Sequence, residues 1–308
     1  MQIQRILKTA RRYLTDKNYR FLLHASYGLY DHLPDKEYLS RMYKAKTGKE
    51  LNLADPKTFN EKLQWLKLYN HQPTYSIMAD KYRMRQFVAE KVGEGYTVPL
   101  LGVWDSPKEI DFDALPNRFV LKCNHNSGLG MCICCDKAQL NKARTKRALK
   151  KGLVQDYYLK SSEWPYKDIH RKIIAEEYLE NNQEDVLVDY KFFCFNGIPK
   201  IMYISKDNAK APETDYFDMQ FNHLDLQTKD PCAKIPPQKV EQFEEMKRIA
   251  KILAENTAHL RVDFYIVNER IYVGELTFFH NAGFSNIQPE SWESILGSWI
   301  TLPEKTCQ

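Results

Sequence analysis

The chain lacks most of the features that assign a protein to a class at first reading. No stretch approaches the roughly 18 consecutive apolar residues of a membrane-crossing helix, so none is expected. The first residues hold no apolar block followed by a small-residue cleavage site, which argues against a secretory leader and for a cytoplasmic protein. Cysteine is sparse, seven in 308 residues, an odd number without a paired framework, as suits a reducing compartment. Cys132, Cys134 and Cys135 cluster near His125, but with no distant second pair their spacing is poor for zinc and a structural role is expected. No serine sits in a GxSxG elbow and no GxxxxGK[ST] loop occurs, so neither a hydrolase triad nor a P-loop is supported. The charge excess is small, 45 basic against 40 acidic residues. That balance suits nucleotides, phosphates or a membrane surface as partners and is too weak to argue for nucleic acid.

What is present reads as helices followed by mixed α and β. Ile3, Ile6, Leu7, Ala10 and Leu14 recur at helical spacing, with Arg5, Lys8, Arg11, Arg12, Lys17 and Arg20 around them. A basic amphipathic helix of this kind can lie on an anionic membrane or pack on its own domain. Residues 34–75 read as helical, with Asp55 or Thr58 as a cap before Phe59, Leu63 and Leu66. A helix over residues 79–93 ends at Gly93 or Gly95. The period then changes to strands at VPLLGVW, RFVLKC, MCICC and IIAEEYL, with a basic helix expected over 136–160. Two hairpins are expected, turning at Asn196-Gly197 and at Asn268-Glu269. Between them, residues 240–257 form the longest clear amphipathic pattern.

The chemistry-bearing residues come as an ordered set. Lys81 follows Asp80. Lys122 ends a strand directly before the loop NHNSGLG, where an ammonium and loop amides can share a phosphate chain. Acids Glu176, Glu177, Glu180 and Glu184 follow IIA. In RVDFY, Arg261 and Asp263 share a face, and Glu275 can come opposite Asp263 across the hairpin. Facing carboxylates repel unless cations join them, and Mg²⁺ bridging nucleotide phosphates is an economical solution.

With these phrases in order (TFNEKLQWLKLYN, ADKYRMR, LPNRFVLKCNHNSG, IIAEEYLE, DYKFFCFNG, RVDFY, YVGELTF) the chain resembles the ATP-grasp superfamily, and within it the TupA-like branch of surface-polysaccharide biosynthesis. The resemblance covers roughly residues 40–300. It implies an α+β fold in which two lobes clasp ATP, preceded by a helical region: residues 1–75 helical, 76–180 the small lobe with a glycine-rich lid and adenine hinge, 181–308 the C-terminal lobe with the Mg²⁺ site. By the same resemblance Lys81 and Lys122 neutralise phosphates, while Asn124, Asn126, Ser127 and Gly128 form the lid. Glu176 accepts from the adenine amino group, and backbone groups near Glu177 and Leu179 bind the ring. Glu184 or Glu180 binds the ribose. Asp189 with Lys191 resembles a D-x-R/K pair, Lys206 is a further phosphate-facing base, and Arg261 steadies an acyl phosphate. Asp263 and Glu275 match the magnesium carboxylates. The third family ligand is an asparagine two residues after the glutamate. Here Thr277 stands there, with Asn281 further along the better oxygen donor.

The implied reaction is ATP-dependent ligation of a carboxylate to an amine through an acyl phosphate. The implied partners are ATP, a saccharide carboxylate or lipid-linked glycan, and an amino acid or amine, with peripheral contact at the inner membrane face through residues 1–24. Alternatives are a glycosyltransferase using Asp111 and Asp113 of DFD as its metal motif, a sugar kinase, or a non-catalytic ATP-binding protein.

Overall fold

The computed structural model describes residues 2–180, 187–206 and 212–306. Six helices come first: α1 (Gln2–Thr15), α2 (Lys17–Ser26), α3 (Asp35–Thr47), α4 (Phe59–Tyr69), α5 (Pro73–Ala79) and α6 (Met84–Val92). Thr58, rather than Asp55, caps α4. Its hydroxyl accepts from the Glu61 amide while the Glu61 carboxylate reaches back to the Thr58 amide, both orphan donors thus being satisfied. Pro73 opens α5, where a missing N–H costs nothing.

The helix expected over 79–93 is shorter, for a local reason. The Asp80 carboxylate accepts from the amides of Tyr82 and Arg83, which turns the chain and delays α6 to Met84. Gly93 then ends the helix at φ +96°.

Two antiparallel sheets follow. The first is ordered β1-β4-β2-β3, from β1 (Leu100–Trp104), β2 (Phe119–Cys123), β3 (Cys132–Cys134) and β4 (Ile173–Glu177). One helix, α7 (Lys142–Leu153), packs on it. The basic run at 136–160 is therefore α-helical only in its middle, flanked by 3-10 turns at Lys137–Gln139 and Tyr158–Lys160, and Asn141 caps the α-helix by accepting from the Arg144 amide. The second sheet is ordered β7-β6-β5-β8-β9, from β5 (Asp189–Phe195), β6 (Ile198–Ser205), β7 (Thr214–Asp218), β8 (His259–Val267) and β9 (Arg270–Thr277). Both expected hairpins close on two residues at positive φ, Asn196-Gly197 and Asn268-Glu269, matching the twist of their strands. α8 (Phe243–Leu253) covers this sheet, and α9 (Ser291–Trp299) packs against α4.

The largest core joins the second sheet to α4, α5, α6 and α8, with Phe59, Phe192, Phe195, Phe243 and Phe264 fully buried. Each such side chain contributes about 1.5–3 kcal/mol by leaving water. A separate cluster around Phe119, Leu121, Leu149 and Ile173 holds the first sheet, and Tyr38, Leu39 and Met42 hold α3 to α2.

Candidate active site between the sheets

Two cavities meet where the sheets face each other. The first, of about 560 Å³, lies against the face of β2 and β4 that carries Val120, Lys122 and Glu176. Apolar side chains line much of it, among them Val120, Ile133, Leu179 and Val273. Lys122 and Glu176 point the same way from adjacent strands, as their register requires, and their charged atoms are 2.6 Å apart. Arg85 of α6 approaches the same carboxylate at 3.7 Å. The Glu176 carboxylate is thus engaged by two cations at the cavity wall. The Glu177 amide donates to the Pro99 carbonyl, while Leu179 and Glu180 line the cavity further along. Glu180 pairs with Arg118 at 2.5 Å. Glu184 lies outside the described residues.

The second cavity, of about 730 Å³, is polar. It adjoins the first along two strands, for Asp189 and Gly274 line one, and Lys191 and Glu275 line the other. Arg261 sits at its floor. Its Nε and Nη2 donate to the two Asp263 oxygens at 2.6 Å each, Nη1 donates to His280 Nδ1 at 2.8 Å, and Nη2 to Thr277 Oγ1 at 3.2 Å. Lys81 donates to Glu275 Oε1 at 2.7 Å and to the Asn126 carbonyl at 2.9 Å, which ties the glycine loop to β9. Lys191 lies 3.4 Å from Asp189 and 3.9 Å from Asp263. Burial pushes the Glu275 carboxyl up, but Lys81, Arg261 and Lys191 reverse that and hold it at about 2.

The glycine loop is anchored rather than loose at its root. Asn124 donates to Asp80 and to the His170 carbonyl, and Asn126 donates to the carbonyls of Leu129 and Gly152. Ser127 is exposed and faces the second cavity, and Gly128 stands at φ +79°. Gly130 packs on α7, where an added Cβ would meet the Ala148 carbonyl at 2.9 Å. Lys206 is exposed one residue beyond β6.

Burial together with the Arg261 charge pushes the His280 ring well below its usual range, so it stays neutral. Its tautomer follows from its partners. Arg261 can only donate, so Nδ1 accepts and the ring proton is on Nε2. Asn281 Nδ2 donates to Ser285 Oγ at 3.2 Å. As donors for Mg²⁺, Asp263 and Glu275 fit: two hard carboxylates in direct register, Glu275 lining the cavity and Asp263 buried behind it against Arg261. Thr277 Oγ1 accepts from Arg261 Nη2, and Asn281, which lines the same cavity, carries the remaining amide oxygen.

Several residues here carried no mark in the sequence. Glu163, buried and lining the second cavity, accepts from Ser161 Oγ at 2.7 Å, and burial raises its carboxyl against the opposing pull of Lys67. Asn60, Gln64 and Lys67 form a buried polar stripe on α4. Asn60 bonds Ser285 through both its amide atoms, Gln64 donates to the carbonyls of Ala282 and Gly283, and Lys67 donates to those of Ser161 and Ala282. The stripe holds the segment with His280 and Asn281, whose Asn281 and Ala282 both sit at positive φ. The signal for it was three polar residues at i, i+4, i+7 among Phe59, Leu63 and Leu66.

Other candidates fall away from the cavities. The Asp111 carboxylate accepts the Asp113 amide in an exposed turn, and Asp113 pairs with Lys142. His125 Nε2 bonds the Gln155 carbonyl, and Cys132, Cys134 and Cys135 form no metal-type cluster with it among the described residues. No helix among them is long and apolar enough to cross a membrane.

The TupA-like ATPgrasp family matches residues 61–301. No curated protein is matched by the chain. Among solved structures the D-alanine-D-alanine ligase of Helicobacter pylori is 13% identical over 79% of this chain and 69% of its own, with a TM-score of 0.46. The D-cycloserine synthetase DcsG is 14% identical over 73% and 71%, at 0.42. The ATP-grasp ligase PsnB complexed with minimal precursor is 12% identical over 71% and 59%, at 0.39. The chain belongs to the TupA-like ATP-grasp family.

Proposed function

We propose that the chain joins a saccharide carboxylate to an amine at the expense of ATP, in the assembly of a bacterial surface polysaccharide. The observation that carries this reading is the pair of adjoining cavities on shared strands. The apolar one suits an adenosine, and the charged one suits the phosphates and acceptor. In this reading Lys122, Lys81 and the loop around Ser127 and Gly128 hold the phosphate chain. Glu176 holds Lys122 in place, and the backbone near Glu177 and Leu179 borders the adenine. Glu180 is the described candidate for the ribose. Asp263 and Glu275 hold Mg²⁺, which when bound neutralises charge on the phosphates.

The acceptor carboxylate attacks the γ-phosphorus and ADP leaves. The amine then attacks the acyl carbon, loses a proton, and phosphate departs. Arg261 and Lys191 offset the charge that builds on the acyl phosphate, and the remaining task is alignment. Tyr157 and Tyr203, with Lys46, Lys160 and Lys229, suit a polyhydroxylated anion as acceptor. α1 supports peripheral membrane contact, because Leu14 is 73% exposed beside Arg11 and Arg12.

The test is ADP and phosphate release from Mg-ATP with mixtures of uronic-acid saccharides and amino acids, using Lys122→Ala and Glu275→Ala as controls. Release that requires both a sugar and an amine, and is lost in both variants, supports the ligase. Release that needs sugar alone would identify a kinase. Absence of ATP binding would overturn the reading.

A further inference from the structure

The stretch between β7 and α8, residues 219–242, has no helix or strand beyond isolated bridges at His223 and Gln227. Connections in compact domains usually run to about 4–6 residues, and longer ones are generally functional. This one forms a wall of the larger cavity through Thr228, Lys229 and Asp230. It is fastened at Asp215, which is on β7 and only 1% exposed. One Asp215 oxygen bonds His223 Nε2 at 2.9 Å, and the other accepts from the Ala233 amide at 3.2 Å. Cys232 is half-buried beside that amide, and its Sγ accepts from Gln227 Nε2 at 3.7 Å. One ligand atom from each of Asp215, His223 and Cys232 lies within 4.8 Å of the other two.

We propose that Asp215, His223 and Cys232 form a zinc site that clamps this wall of the cavity to β7. A carboxylate oxygen, an imidazole nitrogen and a sulfur suit a borderline-soft dication, whereas magnesium and calcium take oxygen ligands. Bonds of about 2.0–2.3 Å in a tetrahedron separate ligands by roughly 3.3–3.8 Å, so small side-chain rotations of His223 and Cys232 close the set. On binding, the Cys232 thiol gives its proton to solvent and a zinc–thiolate bond forms; water completes the fourth position. The donor from Gln227 is the outer hydrogen bond that such a sulfur takes. The site shares no residue with the Asp263–Glu275 pair, so it stands or falls independently of the ligase reading.

The test uses the full chain stripped with chelator and titrated with Zn²⁺ against a zinc indicator, then with Co²⁺ as an absorbing probe. One equivalent of zinc is expected, and cobalt should show thiolate charge transfer with the strong visible bands of four-coordination. Cys232→Ser should abolish the charge-transfer band. It and His223→Ala should each weaken zinc by at least about tenfold, with Cys135→Ser unchanged. Zinc affinity that survives both substitutions, or a cobalt complex without thiolate absorption, overturns the proposal.

Discussion

Asp263 and Glu275 are direct partners across β8 and β9, and a different cation holds each: Arg261 forks onto Asp263 through two 2.6 Å bonds, and Lys81 meets Glu275 at 2.7 Å. Two facing carboxylates would otherwise repel. The cations arrive from different places. Arg261 is two residues from Asp263 on the same strand, whereas Lys81 comes from the turn before α6 and also carries the glycine loop.

Glu275→Gln removes the charge that Lys81 answers. ATP-dependent turnover should fall by about 100-fold or more. The native carboxyl is held at about 2, below its unfolded value of about 4.3, so its contribution to stability is complete above pH 4.3 and is lost as pH falls towards 2. The stability gap between wild type and variant should therefore close across that window in acid titrations followed by circular dichroism. A gap that stays constant would refute the assignment.

Lys67 donates to the carbonyls of Ser161 and Ala282 from a site only 2% exposed, and burial pulls its ammonium down to about 7 against the opposing effect of Glu163. Between pH 7 and about 10.4 the folded chain binds fewer protons at this group than the unfolded chain, so stability rises with pH there. Urea midpoints from pH 7 to about 8.5, below the range where buried thiols oppose the trend, should rise in wild type. They should flatten in Lys67→Met, which should also be less stable by about 2–4 kcal/mol.

Gly283 is at φ +67°, and a Cβ there would lie 2.4 Å from Gln64 Nε2 and 3.0 Å from Leu63 Cβ. Gly283→Ala should cost about 2 kcal/mol or more by displacing the Gln64 bonds. Because Gln64 holds the segment with His280 and Asn281, the melting temperature and the acceptor KM should worsen together. A loss of stability with unchanged KM would separate the stripe from the site.

Deleting residues 1–24 should abolish co-sedimentation with vesicles of anionic phospholipid, while added salt weakens binding of the intact chain. Unchanged sedimentation would remove α1 from the membrane reading.

The features readable in the sequence are those whose causes lie within a few residues. The Thr58 cap, the turns at Asn196-Gly197 and Asn268-Glu269, and the shared face of Arg261 and Asp263 each depend on neighbours one to four positions away. Overlong helices at 79–93 and 136–160 came from the same local view, which missed Asp80 and Asn141 spending their side chains on backbone amides. β7 and α9 went unseen because TDYFD and SWESILGSW owe their form to packing partners, β6 for one and α4 for the other.

Motif order and alternation were thus enough for the family and the α+β class. Which residues touch could come only from the folded chain. Lys81 and Glu275 are 194 positions apart, and Gln64 and Gly283 are 219 apart. A buried Glu163, a neutral His280 and the Asp215–His223–Cys232 cluster acquire their chemistry from burial and charge supplied by distant segments, and no local pattern encodes either.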